Sequence, residues 1–286
     1  MDEKDRKQGL LHNKSFWVRT ASGIVIAAVL VAVFVIGYDV MLCFVCALSL
    51  IALFELYRAL GMKFNAMTIF GYIGVLAHYA IIRFFPQNGF YLLIMYSIIL
   101  VLILAAFVFT YPKYELHQMF GAFFGIFYVG VTLSFLYLIR IHPPSGAYLV
   151  WLVVISSWGC DIFAYLAGML FGKHKLVPNL SPKKSVEGAI GGVVGAMLLA
   201  LAYGFAVLPY IPDFKHPQIV FPIICFFGAI VSQIGDLAAS AIKRKVDIKD
   251  YGRLIPGHGG ILDRFDSMII VAPIMYIVTI YAMMVG

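Results

Sequence analysis

A chain of 286 residues could make one or two soluble domains, but here 63% of the residues are hydrophobic, only 12% are charged, and the mean hydropathy is +0.96. That composition excludes a soluble globular fold. The net charge of +7 is spread along loops rather than gathered on a soluble module, which excludes nucleic acid as a partner.

A basic segment, 1–18, comes first. From residue 19 onward apolar runs of about 18–25 residues recur, the length needed to cross about 30 Å of hydrocarbon. They cover 19–37, 40–57, 66–84, 90–109, 117–139, 148–171, 187–208, 218–242 and 267–285. The expected fold is therefore all-α, a polytopic integral membrane protein with about nine transmembrane helices. Only Gly37-Tyr38-Asp39 separates the first two runs, so a count of eight stays open there. The first run has no small-residue cleavage site followed by a soluble domain, so no cleavable signal peptide is expected.

A cytosolic N-terminus puts 18 of the 21 Lys and Arg inside and leaves Arg83, Arg140 and Lys215 outside, the distribution that the positive-inside rule selects. The C-terminus is then outside, and two polar loops, 172–186 and 243–266, share the cytosolic face. The expected organisation is a basic tail (1–18), N-terminal membrane helices (19–145) and a C-terminal catalytic membrane region (146–286).

Several polar or small residues along the runs read as structural. Cys43 and Cys46 have CxxC spacing but no His or acid nearby, and with Cys160 and Cys225 they read as small buried hydrophobes. Glu55 stands three residues before Arg58 at the end of the second run, as in a helix-end ion pair. Gly188, Gly191, Gly192 and Gly195 in the seventh run suit close helix packing.

The chemistry concentrates between Ser240 and Asp266, where Lys243, Arg244, Lys245, Lys249, Arg253 and Arg264 face Asp247, Asp250, Asp263 and Asp266. Asp161 and Asp236 lie inside the sixth and eighth runs, where an ionisable group is costly unless paired or wetted. Asp263 and Asp266, three apart, share a helical face and suit the positive end of its dipole. Oxygen ligands of this kind select a hard cation, Mg²⁺ at a phosphate site, with Asp236, Asp263 and Asp266 as ligands and Asp161 as a further candidate. Each acid, taken alone, reads equally as the partner of a nearby lysine. Pro256-Gly257-His258-Gly259-Gly260 can bring backbone N–H groups to a phosphate, and Lys249, Arg253 and Arg264 can neutralise it. His258 could carry a proton, donate to a phosphate or brace the loop. Ser181-Pro182-Lys183-Lys184-Ser185-Val186-Glu187-Gly188 adds two cations on the same face, or else simple membrane anchoring with Ser181 as a helix cap.

Taken together, Ser240-x-x-Lys243-Arg244, Lys249-Asp250-x-Gly252 and Pro256-x-His258-Gly259-Gly260-x-x-Asp263-Arg264-x-Asp266 closely resemble the 27-residue signature of the phosphatidate cytidylyltransferases, with no gap or substitution. Residues 160–165 and 181–188 are similar to that family too, so the resemblance centres on 155–270, while 1–145 match as generic spans. It implies a membrane enzyme that makes CDP-diacylglycerol and pyrophosphate from CTP and phosphatidic acid. It also implies Mg²⁺ on Asp236, Asp263 and Asp266, with K⁺ beside it. Lys249, His258 and Arg264 join these acids as catalytic candidates. Lys183, Lys184, Ser240, Lys243, Arg244, Arg253, Gly259 and Gly260 are candidates for substrate binding. A bacterial plasma membrane is the expected location, the site facing the cytoplasm, and a second copy of the chain is a candidate partner. Rival readings are a CTP-dependent polyprenol or phytol kinase, an ether-lipid cytidylyltransferase, and a cation- or proton-coupled transporter using Asp161 and Asp236. The complete signature disfavours the first two. The third lacks the internal symmetry usual in transporters.

Overall fold

Backbone polar groups crossing hydrocarbon must be satisfied within their own segment, so apolar runs of this length fold as helices. The computed structural model describes the backbone of residues 3–142, 145–212 and 214–285, and the side chains of 17–142, 145–212 and 214–283. Among these residues nine helices are long and apolar enough to span a membrane. They are α1 (Glu3–Ile36), α2 (Tyr38–Ala59), α3 (Ala66–Phe84), α4 (Gly89–Phe109) and α5 (Leu116–Ile141). The others are α6 (Gly146–Phe171), α7 (Val186–Val207), α8 (Pro217–Lys245) and α9 (Leu262–Val285). The all-α polytopic expectation holds. The basic segment is continuous with the first span rather than separate from it, and the side chains of Lys4, Arg6, Lys7 and Lys14 lie outside the described residues.

The first two runs are separate helices, broken by Gly37 alone (φ +69°). Arg140, at the end of α5, explains the break: its Nε donates to Phe34 O (2.8 Å) and its Nη2 to Val35 O (3.2 Å). These are orphan carbonyls of the last turn of α1, where a cation also suits the dipole. Helices α5 and α6 each contain a widened π-helical turn, at Ile126–Val131 and Ile155–Gly159, the second ending two residues before Asp161.

Between α6 and α7 the polar segment folds into an antiparallel hairpin, β1 (Lys175–Val177) and β2 (Ser181–Ser185). Ser181 is therefore a strand residue. The cap of α7 is Ser185, whose Oγ accepts the Gly188 N–H (3.1 Å). Glu187 fastens the root of the hairpin by accepting the N–H groups of Lys173 (3.1 Å) and His174 (3.2 Å).

Helix α9 is the core of the bundle: Phe265, Met268, Ile269, Val271, Ala272 and Met275 are all at most 2% exposed. It packs on α8, α6, α5 and α2. Helix α7 lies close against α6 along its glycines; a Cβ on Gly192 would fall 2.9 Å from the Cys160 carbonyl oxygen. Helix α1 is held differently. It touches α2 and α6 mainly through its last turns, where Phe34 meets Trp151 edge-on (5.3 Å between centroids).

Candidate active site

The segment joining α8 to α9 is folded around one carboxylate. Asp263, in the first turn of α9, accepts through Oδ2 the N–H groups of Tyr251 (2.8 Å), Gly260 (3.0 Å) and Gly252 (3.4 Å), and through Oδ1 the Lys243 ammonium (2.8 Å). Its side chain is 3% exposed. Tyr251 is buried below this cluster; its hydroxyl donates to Ala239 O (3.1 Å), and Lys243 Nζ lies over its ring (5.4 Å). Separated parts of the signature thus form a single hydrogen-bonded knot.

That knot is fastened from the N-terminal half. Glu55 on α2, only 3% exposed, accepts the Ile261 N–H (3.1 Å) and the Leu262 N–H (2.8 Å), so the N-terminus of α9 is capped by a side chain from another helix. Gly252 and Gly260 run so close to this carboxylate that a Cβ on either would strike it. Arg58 donates Nη2 to Tyr251 O (2.5 Å). The expected local pairing of Glu55 with Arg58 is replaced by two long-range contacts. An exposed i,i+3 ion pair is worth a few tenths of a kcal/mol, whereas unsatisfied buried amides cost about 1–3 kcal/mol each.

His258 is held by α1. Ser22 Oγ lies 2.7 Å from His258 Nδ1, and the Ser22 hydroxyl has carbonyl acceptors at Val18 (2.9 Å), Arg19 (3.0 Å) and Pro256 (3.1 Å). A hydroxyl that donates to a carbonyl receives the Nδ1–H, which assigns the ring lone pair to Nε2. Burial, together with the charges of Arg264 and Arg19, holds this imidazole below its ordinary value and so neutral at pH 7. Arg264 in turn donates Nε to His258 O (2.9 Å), and its own carbonyl accepts Trp158 Nε1–H (3.2 Å). A pH effect follows. The acid limb of kcat/KM assigned to His258 should lie below about 6.5. Arg19→Gln, which removes one repelling charge, should move it upward. An unmoved or lowered limb in pH–rate profiles of the variant would count against this electrostatic account.

Two cavities meet here. The first, about 510 Å³, lies between α1, α6, α8 and α9, and Asp161, Asp236, Asp263 and Asp266 line it together with Lys243 and Arg264. His258 and Asp250 stand on its wall as well. The second, about 420 Å³, lies between α6, α7 and the hairpin and receives Lys183 and Lys184. Asp161 and Asp236 belong to both. Lys184 Nζ forms an ion pair with Asp236 Oδ2, and Ser240 Oγ donates to Asp236 Oδ1 (3.5 Å). Asp266 is buried and accepts its neighbour's N–H, from Ser267 (2.7 Å).

The structure therefore brings Asp161, Asp236, Asp263, Asp266, Lys243, His258 and Arg264 to one cavity, with Lys183, Lys184 and Ser240 beside them. Gly259 (φ +88°) and Gly260 shape the loop next to Asp263. Arg244, Lys249 and Arg253 are exposed and line neither cavity; Arg253 shares a separate hollow with Arg58. Among the described residues no three His, Cys, Asp or Glu stand close enough to hold a metal ion as they are, and Asp236 and Asp263 are each paired with a lysine ammonium. Ser22, Glu55, Arg58 and Trp158 complete the site without belonging to the signature. Glu55 alone gave a signal in the sequence, as an acid at the end of an apolar run.

Comparison with known proteins covers nearly the whole chain. A sequence model of the cytidylyltransferase family matches residues 17–282, well beyond the segment that carries the signature. The chain is 31% identical over 263 residues to the phosphatidate cytidylyltransferase of Bacillus subtilis (strain 168), covering 90% of this chain and 95% of that protein. It is 34% identical over 271 residues to the one of Staphylococcus saprophyticus subsp. saprophyticus (92% and 98%). With that of Staphylococcus aureus (strain COL) it shares 33% identity over 268 residues, again covering 92% and 98%.

Proposed function

From the premise that this chain belongs to the cytidylyltransferase family, we propose that it is an integral membrane phosphatidate cytidylyltransferase, joining CTP and phosphatidate into CDP-diacylglycerol and pyrophosphate. The observation that carries this reading is the meeting of two cation-bearing cavities at Asp161 and Asp236, one reaching the polar loops and one beside the lipid-exposed side of α6. In the reaction an oxygen of the phosphatidate phosphate attacks the α-phosphorus of CTP. A P–O bond forms there, the bond from that phosphorus to the bridging oxygen of the β-phosphate breaks, and its electron pair leaves with pyrophosphate. Such a transfer depends on alignment and charge stabilisation, with no covalent enzyme intermediate required.

The residues divide this work by position. Lys243 and Arg264 supply positive charge to the triphosphate, and Lys183 and Lys184 to the lipid phosphate. His258 presents Nε2 to the cavity as an acceptor for the proton of a phosphate monoester. Arg244, Lys249 and Arg253, exposed on the same face, attract anionic substrates and lipid headgroups. Asp161, Asp236 and Asp266 offer oxygen donors within electrostatic range of one another. Their oxygen-only chemistry suits Mg²⁺, but as they stand the three carboxylates are too far apart to share an ion, so binding it requires them to draw together and Lys184 to release Asp236, while Asp263 serves the loop. When bound, Mg²⁺ would supply charge neutralisation to the reacting phosphates.

The distribution of basic residues supports a site on the cytoplasmic side of a bacterial inner membrane, with the C-terminus outside. Single cysteines introduced near Lys113, Lys184 and Lys249 in a cysteine-free background should react with impermeant thiol reagents only from the cytoplasmic side, and ones near Asn88 and Lys215 only from outside. Opposite labelling at Lys184 and Lys249 would reject this orientation.

Purified protein given labelled CTP and phosphatidate in mixed micelles should form labelled CDP-diacylglycerol, lose activity on chelation and recover it on adding Mg²⁺. A phosphorylated prenol as the labelled product would instead identify a kinase. Ion flux in liposomes without nucleotide turnover would identify a transporter.

A further inference from the structure

We infer that a further phosphate site, separate from the two catalytic cavities, lies where the end of α2 meets the loop after α8. Its ligand is a membrane phospholipid with an anionic phosphodiester and a hydroxyl-bearing headgroup.

The site is a hollow of about 410 Å³, lined by Arg58 of α2 and by Asp250, Tyr251 and Arg253 of the loop. Pockets for small ligands measure about 300–1,000 Å³. The hollow shares Asp250 with the first cavity and no other residue. Arg58 is fixed in place: its Nη2 donates to Tyr251 O (2.5 Å), and its guanidinium lies 5.7 Å from the centre of the Phe54 ring. A guanidinium has five N–H donors, so this bond leaves Arg58 most of its fork. Arg253 adds a second, exposed guanidinium. Planar donors from distant parts of the chain thus line one space, which suits phosphate oxygens.

Charge selects the kind of phosphate. Two guanidiniums against one carboxylate leave a single positive charge unbalanced. That matches the one charge of a phosphodiester rather than the double charge of a phosphate monoester. An ionised Asp250 only accepts hydrogen bonds, so the headgroup beside it must bring donors, and hydroxyls supply them. Lys249, exposed on the same segment, adds attraction for an anionic lipid.

Helix α2 supplies the reason for a lipid rather than a soluble anion. Val40, Cys43, Ala47, Ile51, Phe54 and Arg58 recur at spacings of three and four and are all exposed, so they form one stripe along a membrane-spanning helix. The stripe is apolar until its last member, which stands in the hollow. An acyl chain lying on Ile51 and Phe54 therefore brings its phosphate to Arg58. A lipid held there joins α2 to Tyr251 and Gly252, whose N–H groups reach Asp263.

Photocrosslinking tests the site on the full chain in nanodiscs. A benzophenone amino acid replaces Phe54, and one at Val101 on α4, 62% exposed and outside the hollow, serves as the control. The probes are labelled phosphatidylglycerol and labelled phosphatidylcholine, the second being zwitterionic and without headgroup donors. The preference for phosphatidylglycerol should be at least about tenfold greater at 54 than at 101, the scale of one charge-assisted hydrogen bond. Arg253→Ala should erase most of that preference, and Arg253→Lys, which keeps the charge without the fork, should retain part of it. Unchanged crosslinking at 101 shows that both variants remain inserted and folded. Equal preference at the two positions would mean that only bulk lipid touches α2 and would overturn the site, as would undiminished preference in Arg253→Ala. Glycerophosphoglycerol, the headgroup without chains, should compete poorly; competition equal to that of the lipid would overturn the membrane source. Phosphatidate competing better than phosphatidylglycerol would overturn the choice of a phosphodiester. A crosslink from 54 to a second copy of the chain would overturn the lipid as occupant. No arm depends on nucleotide turnover, so failure here leaves the cytidylyltransferase reading intact.

Discussion

Asp236→Asn should lower turnover by at least about 10²-fold, the scale of losing one charge-stabilising element in a polar-transfer site, with the purified protein as heat-stable as the parent. Asp236 holds Lys184 and lines both cavities, so its charge lies at their junction rather than in packing. Asp263→Asn should cost as much activity but also lower the unfolding temperature in detergent. Its Oδ2 gathers three backbone N–H groups and its Oδ1 neutralises a largely buried lysine, and removing one partner of a buried ion pair costs more than removing both. Lys63→Gln, on an exposed turn away from both cavities, is the control and should stay near parental activity. Full turnover by Asp236→Asn at limiting Mg²⁺ would remove this aspartate from the site. Equal melting temperatures for the two Asn variants would remove the distinction drawn between them.

Glu55→Ala should be the most damaging substitution in the N-terminal half. It strips the acceptors from two amides at the start of α9, at about 1–3 kcal/mol each, for a loss on the order of 2–6 kcal/mol. Turnover should fall with it, because Gly252 and Gly260 pack on this carboxylate and carry the loop that contains His258. Glu55→Gln keeps carbonyl acceptance for one amide and should recover part of both losses. Unfolding curves and initial rates for the pair decide the matter. If Glu55→Ala melts and turns over like the parent, water caps α9 adequately and α2 is only a neighbour.

The membrane spans were legible because hydrocarbon thickness sets a length that apolar runs must meet, and all nine runs became helices. The cluster of acids and cations near the last helix was legible for a related reason: charges are scarce in this chain, so their concentration stands out. What the sequence hid depends on distance. Glu55 and Leu262 are 207 residues apart, and local spacing pairs Glu55 with Arg58 because only i,i+3 and i,i+4 neighbours can be read from a helix pattern. Ser22 looks like any small polar residue in a first span until α1 is laid beside the glycine turn. The hairpin at 175–185 was hidden by its brevity, since a few polar residues around a proline carry no period. Asp263 and Asp266 were correctly placed in one turn of helix, but which oxygens were free for a ligand could be seen only once the loop amides were in place.

The capping of α9 by α2 bears on how this protein can be divided and varied. A fragment beginning at residue 146 would contain the entire signature, yet its last helix would start with two bare amides and its first cavity would lack the wall that Gly23, Ile26 and Ala27 provide. The first two spans are therefore parts of the enzyme and not a detachable anchor. In a random loss-of-function screen, damaging changes between residues 19 and 60 should gather at Ser22, Glu55 and Arg58. Substitutions among hydrophobic residues at the lipid-facing positions Val25, Val29 and Phe54 should pass unnoticed.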